Sequence, residues 1–456
     1  MDVAADFSKP YEVKITGITH DGAGVGRIDG QVVFVPGALQ GEEVLIEITG
    51  IQKKILYARI TEILSYHEDR ISPICSVYSS CGGCQLQHAA YPAQLRIKEQ
   101  QVREALERIG GFTGIKVNPT LGMDEPWGYR NKGHFQVRKQ NDRIVLGFYE
   151  EGSHQLAGQA CRHLFSAQVT SLLAFLEERL TVHNVKTAII PEQGLCRIMI
   201  RESKATGDIL LVFVSTGTTI GKIETISREI CHEFPQVVGI SLSRNARRIG
   251  PVLGQDTVVI SGKGEITDCL GPFSFAISVP SFFQVNNVQA EVLYQKTVEY
   301  AGLTADNTVI DAYCGIGAIS LFLAEKAGHV IGIESVIEAV DDAKRNAEEN
   351  SVKNVEFIEG EAEKVMPRLV EQGICPDVVV VDPPRRGCDK ALLDSIIDAK
   401  PSRIVYVSCN PATLARDLRM LSAGGYRVEE VQPVDMFPQT AHVEVVTLLT
   451  RSVETK

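Results

Sequence analysis

Long apolar runs are missing from this chain: none reaches the roughly 18 residues that a membrane-crossing helix needs. A basic-then-apolar leader is missing too, since the sequence opens MDVAADFSKP. A spanning or secreted protein is therefore not expected, and the expected location is the cytoplasm. Positive charge is in deficit. Lys and Arg number 46 against 57 Asp and Glu, for a formal net charge of −11 and a pI near 5.5. A generic nucleic-acid binder usually carries a basic face, so the total argues mildly against one. Local patches matter more than totals. Two basic stretches stand out, Tyr129 to Arg143 and Arg244 to Arg248 (RNARR). Taken alone, each reads as solvated surface.

A paired set of cysteines is missing as well. There are 11, and an odd number without a secretion signal does not make a disulfide framework. The rest of the composition is ordinary for a soluble globular chain, 44% hydrophobic and 23% charged. A length of 456 residues suggests roughly three domains at about 150 residues each.

Three regions differ in pattern. Residues 1–65 alternate Val- and Ile-rich segments (YEVKITGI, QVVFVPGA, GEEVLIEITGI, ILYARITEIL) with turns such as His20-Asp21-Gly22-Ala23-Gly24. Five or so short strands in about 60 residues predict a small closed barrel of the OB type. Residues 66–280 predict a mixed α+β central domain. It opens on an irregular cysteine-bearing stretch, then a helix from about Pro92 to Ile109 stopped by Gly110-Gly111, with a further helix over Ala167 to Arg179. Residues 281–456 begin with a helix over Gln284 to Ala301. Near-continuous apolar strands then alternate with helices (NTVIDAYC, HVIGIES, VEFIEG, DVVVVDPP, RIVYVSC). That alternation predicts an α/β fold, a Rossmann-like parallel sheet covered on both faces. YRVEEVQPVD and HVEVVTLLTR close it as an antiparallel hairpin with a short turn.

The strand ends carry the candidate site. Asp311-Ala312-Tyr313-Cys314-Gly315-Ile316-Gly317 follows the first strand, where glycines let a ligand approach the backbone. Ser320 stands where a dinucleotide fingerprint has its third glycine, which lowers a nicotinamide-cofactor reading. Glu334 ends the second strand, where an acid binds ribose hydroxyls; a capping or surface acid is the plainer reading. S-adenosylmethionine has a ribose and no pyrophosphate, so it suits this looser pattern. Asp382-Pro383-Pro384-Arg385 ends the fourth strand, as a ligand-facing group or a plain turn. Cys409 ends the fifth, in Ser408-Cys409-Asn410-Pro411. A cysteine after a buried strand is more often inert core, but its company favours a nucleophile. Glu444 opens a strand that otherwise reads VVTLL, as a candidate base or a solvated hairpin acid. His442 is a weaker candidate for an RNA or structural contact.

Cys75, Cys81 and Cys84 lie close together around Gly82-Gly83, and Cys161 comes later. Four thiolates suit an iron–sulfur cluster or a structural zinc. The wide spacing of Cys75 and Cys81 leans towards a cluster. The remaining cysteines (196, 231, 269, 314, 375 and 388) read as scattered structural residues.

Five motifs in order carry a resemblance over nearly the whole chain: Phe282-Phe283-Gln284-Val285-Asn286, Asp311-Ala312-Tyr313-Cys314-Gly315, Asp382-Pro383-Pro384-Arg385, Ser408-Cys409-Asn410-Pro411, and Asp435-Met436-Phe437-Pro438 through His442-Val443-Glu444. Together they resemble the RNA 5-methyluridine methyltransferase family. The resemblance implies a class I methyltransferase domain and an N-terminal TRAM barrel that binds RNA. It implies cofactor roles for Gln284, Tyr313, Glu334 and Asp382, with Asp382 also near the uridine. Cys409 becomes the nucleophile and Glu444 the base. It also implies a 4Fe–4S cluster on Cys75, Cys81, Cys84 and Cys161; the reaction itself contains no redox step, and the Cys-x3-Cys-x2-Cys run of radical chemistry is absent. Glu361 stands where relatives vary, and the resemblance leaves its role open. The expected substrate is structured RNA, 23S rRNA first and tRNA as the near alternative, handled by a monomer. Two rivals from other classes remain: an amino-methylase, which needs no nucleophile, and a non-catalytic RNA-binding protein with a cluster.

Overall fold

The computed structural model describes residues 6–158, 161–188, 193–217, 220–245, 252–254 and 256–452. Residues 246–248 of the RNARR stretch lie outside the described residues. No helix among the described residues is long and apolar enough to cross a membrane.

The first region is a curled six-stranded sheet. Its edges are Tyr11–Lys14 and Gly17–Ile18, two successive pieces of chain. The sheet therefore closes on itself, and Thr16 N–H donates to Val25 O at 2.7 Å across the seam. Alternation along Glu43–Gln52 points Val44, Ile46 and Ile48 inward against Val13, Val33 and Leu56. A Cβ on Gly26 would sit 2.2 Å from Val13 Cγ1, so glycine is what lets the first strand cross there.

The central sheet runs Asp256–Gly262, Val237–Arg244, Ile209–Ser215, Leu195–Glu202, Lys132–Gln140, Arg143–Gly147. Helices Ala167–Val182 and Ile223–Glu233 cover one face, burying Leu172, Leu176, Ile226 and Ile230 against Phe135, Ile198 and Phe213. Alternation along Lys132–Gln140 sends Gly133, Phe135 and Val137 to that core and Lys132, His134, Gln136 and Arg138 to the opposite face.

The last region holds an eight-stranded sheet in the order Val355–Glu359, His329–Glu334, Thr308–Ala312, Val378–Val381, Arg403–Ser408, Glu444–Arg451, Tyr426–Val434, Lys116–Val117. The first five are parallel, and Glu444–Arg451 runs against its neighbours. Helices cover both faces, which is why Val378–Val381 is buried throughout. The eighth strand comes from far upstream. Lys116–Val117 pairs in parallel with Tyr426–Val434, and Val102, Leu106 and Val117 share a core with Tyr406 and Leu414.

Three elements differ from expectation. The upstream helix is α over Tyr91–Ala105 and widens to a π turn over Leu106–Gly110. The Gln284 helix begins at Asn287, because Asn286 caps it by accepting from Gln289 N–H at 3.3 Å. The final hairpin has no short turn. Asp435 to Val443 forms a long connection that upstream elements hold in place.

Candidate active site

Each candidate residue sits at the carboxyl end of the parallel strands or at the start of the last strand. In the loop after Thr308–Ala312, Tyr313, Gly315 and Gly317 adopt left-handed backbone, with φ of 69°, 56° and 83°. Tyr313 and Cys314 N–H both donate to Ile333 O, at 2.9 and 3.0 Å. The loop is thus folded over the end of the second strand. A Cβ on Gly315 would meet nothing within 4 Å, whereas one on Gly317 would sit 2.8 Å from the Phe357 ring. One glycine keeps an open edge; the other admits close packing. Glu334 accepts Gly315 N–H at 3.1 Å and Val336 N–H at 2.8 Å. Beneath them Asp311 is fully buried and accepts from Ser320 Oγ at 2.5 Å. Its Oδ1 has no partner among the described residues, and burial pushes its carboxyl up to about 7.

Strand register brings the proposed nucleophile and base together. Ser408 is opposite Val445, so Cys409 and Glu444 meet at the same end of the strand pair. The Cys409 thiol is half-buried and pushed up to about 11, first by burial and then by the charges of Glu444 and Asp382, with Arg385 opposing. Glu444 is buried, and its carboxyl is held well above the ordinary value by burial and then by Asp382. Asp382 is partly accessible from the cleft but enclosed enough that desolvation pushes it up to about 6. Asn410 ties the two loops: it accepts from Ala412 N–H at 3.1 Å to cap Pro411–Ala423 and donates to Arg385 O at 3.1 Å. Gln284 is buried next to this cluster, close to Tyr294.

Sequence reasoning missed Tyr294. It is buried on helix Asn287–Ala301, and its hydroxyl is raised by burial, then by Asp382, Asp311 and Glu444. It also missed the clamp on the connection leading to Glu444. Lys98, wholly buried, ion-pairs with Asp435 and donates to Phe437 O at 3.0 Å. Tyr91 Oη donates to Asp435 at 2.8 Å, Tyr129 Oη to Pro438 O at 3.1 Å, and Asn286 Nδ2 to Met436 O at 3.1 Å. Gln439 has φ 72° and exchanges two 3.0 Å bonds with Gln94, while its carbonyl accepts from Gln85 and Leu86 N–H. A lysine and a glutamine on a helix read as solvent-facing, so only the unusual acid in Asp435-Met436-Phe437-Pro438 could have signalled the pair.

His442 is exposed at the mouth, its imidazole lowered by desolvation and then by Arg385, Lys98, Arg130 and His20. His20 places the barrel's glycine turn here too: a Cβ on Gly22 would lie 3.2 Å from Ala441 Cβ. Glu361 is exposed and pairs with Lys364. Cys75, Cys81, Cys84 and Cys161 line one small cavity with Val77, Phe148 and Leu164. Burial raises the thiols of Cys81, Cys161 and Cys84, the last to about 12. Among the described residues no three His, Cys, Asp or Glu converge to hold a single metal ion. The other six cysteines are dispersed and unpaired, with Cys196, Cys314 and Cys388 buried.

A parallel sheet closed by an antiparallel strand, with a glycine loop and an acid at successive strand ends, defines a class I methyltransferase domain. Known proteins agree. A family profile described as tRNA (Uracil-5-)-methyltransferase matches residues 272–452, and a TRAM domain profile matches residues 9–61. An uncharacterized RNA methyltransferase of Bacillus cereus is 46% identical over 96% of both chains. One of Caldanaerobacter subterraneus subsp. tengcongensis is 46% identical over 98% of this chain and 99% of its own. The Pyrococcus abyssi tRNA (uracil-54, C5)-methyltransferase, solved with S-adenosyl-L-homocysteine, superposes with a TM-score of 0.75 at 27% identity, covering 96% of this chain and 100% of that one. The chain belongs to the S-adenosylmethionine-dependent RNA uracil-5-methyltransferase family.

Proposed function

We propose that the protein methylates C5 of a uridine in structured RNA, with Cys409 as nucleophile and Glu444 as base. The observation that carries this is the register that sets Cys409 beside Glu444, at the strand ends that also hold Asp382. C5 of uracil is too weak a nucleophile to take a methyl group unaided. Cys409 Sγ adds to C6, which makes C5 an enolate carbon. S-adenosylmethionine supplies the electrophilic methyl group as a sulfonium. Glu444 then takes the C5 proton, and Cys409 Sγ leaves from C6 as the double bond re-forms. Tyr294 and Arg385 orient the surrounding charges. Gln284, Tyr313, Glu334 and Asp382 would hold S-adenosylmethionine beside the open edge at Gly315, with Glu334 the acceptor for its ribose hydroxyls. The uridine must leave its stack to reach Cys409.

The domains divide at about residues 65 and 280, and the protein acts as a monomer in the cytoplasm. The four cysteines of the central domain hold a 4Fe–4S cluster. Supporting this, all four line one small cavity, and four thiolates suit such a cluster. The cluster would brace the loop whose Gln85 and Leu86 N–H groups hold Gln439. The large-subunit 23S rRNA is the first substrate, on the combination of barrel and cluster. Transfer RNA is the second reading, favoured by the likeness to the Pyrococcus abyssi enzyme.

The test is incubation with S-adenosylmethionine and RNA carrying 5-fluorouridine, followed by a denaturing gel. Fluorine cannot leave C5 as a proton does, so a covalent band is expected with the substrate RNA and lost in Cys409→Ala. No band with either 23S rRNA or tRNA would overturn the C5 mechanism and point to an amino-methylase.

A further inference from the structure

The basic stretch Tyr129 to Arg143 becomes a strand whose outward residues are Lys132, His134, Gln136 and Arg138. The neighbouring strand adds to the same face, since Arg197 is opposite Gln136 and Arg201 opposite Lys132. Lys132, His134, Arg138 and Arg197 are half-buried, and Arg201 is sealed beneath them. None of the four Lys and Arg residues pairs with a carboxylate among the described residues. Asp268 is the acid whose charge acts on Arg201, but its oxygens already accept from the backbone N–H of Lys204, Ala205 and Cys269 and from Asn287. In a chain of net charge −11, this concentration of uncompensated cations is out of character. Partly desolvated charges are costly unless a counter-charge meets them.

The row also has a direction. At one end Asn131 N–H donates to Val285 O and its amide to Gln284 O, both at 2.8 Å, and Arg201 donates to Ser281 O at 2.5 Å. That end abuts the catalytic cleft. At the other end Arg138 stacks over Tyr149 with its charge 5.4 Å from the ring centroid, and His154 meets the same ring edge-on. Tyr149 O accepts from Gly82 N–H in the cysteine loop at 3.2 Å, and Glu150 and Glu151 bound the row there.

We propose that this face of the central sheet is a track for the phosphate backbone of the substrate RNA, leading from the cleft at Gln284 to a stacking step at Arg138 and Tyr149. The proposal rests on RNA being the substrate. Phosphodiester anions supply the missing counter-charge, and the aromatic step takes an unstacked base without reading its identity. In the free protein the cations depress one another: Lys132 falls to about 7 and His134 to about 3, in each case first through burial.

The experiment compares wild type with Arg138→Gln/Arg197→Gln, and with Lys139→Gln as a control on an exposed residue that pairs with Asp142. Binding to transcribed 23S rRNA fragments and to tRNA is measured across a salt series. Each lost phosphate contact lowers the salt slope by about 0.7 to 0.9. The double variant should bind about tenfold or more weakly with a slope shallower by about 1.4 to 1.8, while its affinity for S-adenosylmethionine stays unchanged. Wild-type affinity and slope in the double variant would overturn the track. Absence of salt-dependent binding in wild type would instead sink the RNA reading itself. Should the variant misfold, ultraviolet crosslinking of wild type to 4-thiouridine RNA decides. Crosslinked peptides should include residues 132–140, 149 or 195–202; crosslinks confined to other regions would overturn the proposal.

Discussion

At Cys409, burial and two carboxylates oppose the ionised form that the proposed mechanism requires. With the thiol near 11, almost all of it is protonated at neutral pH. Alkylation of Cys409 by iodoacetamide, followed by peptide mapping, should rise about tenfold per pH unit from 7 and bend only near that value. S-adenosylmethionine brings a cation into the cleft and should move the bend to lower pH; S-adenosylhomocysteine, lacking the charge, should not. Identical profiles with the two would remove the sulfonium from the neighbourhood of the thiol. In the proposed mechanism Glu444 separates the two halves of the reaction. Glu444→Gln should still form the adduct but release it slowly, so a covalent protein–RNA species accumulates during turnover with ordinary RNA. If that variant turns over at the wild-type rate, the C5 proton leaves to some other base.

At the scale of elements, the connection Asp435 to Val443 is fixed by side chains from helix Tyr91–Ala105. Removing Asp435 strands a buried ammonium, so Asp435→Ala should cost about 3–5 kcal/mol, read by denaturant unfolding. Lys98→Met with Asp435→Leu should cost much less than the two single changes summed, because neither charge is left alone. Near-additive losses would show that the pair is not an isolated unit. The parallel strands and their order of motifs were legible in the sequence, because buried apolar runs and glycine loops are local signals. So were the positions of Cys409, Asp382 and Glu444 at strand ends. The clamp was not, since Gln94, Lys98 and Gln439 are polar residues whose burial depends on partners more than three hundred positions away. The final hairpin misled for the same reason: its turn chemistry is replaced by long-range bonds.

For the whole molecule, the cysteine cavity, the central sheet and the catalytic domain form one mechanical series through Gly82, Tyr149, Gln85 and Gln439. Protein prepared without oxygen should be brown and hold about four irons per chain. Oxidative loss of that iron should lower the melting temperature, and it should change protease cleavage around residues 75–90 before cleavage in residues 308–450. Colourless protein with one zinc per chain would refute the cluster.

The strand Lys116–Val117 has a consequence for how the chain is made. Lys116 Nζ reaches Glu430 at 2.8 Å across 314 positions, so the edge of the catalytic sheet leaves the ribosome long before the strand it joins. Residues 91–121 must wait, with Val102, Leu106 and Val117 bare, while the whole central sheet is synthesised and folds. Such distant pairing makes refolding slow. It also means that a catalytic fragment starting at residue 281 would lack both its last strand and the lid of one core, and should be recovered as aggregate. Supplying residues 85–121 as a separate peptide should restore solubility, which makes this enzyme a candidate for division into complementing pieces.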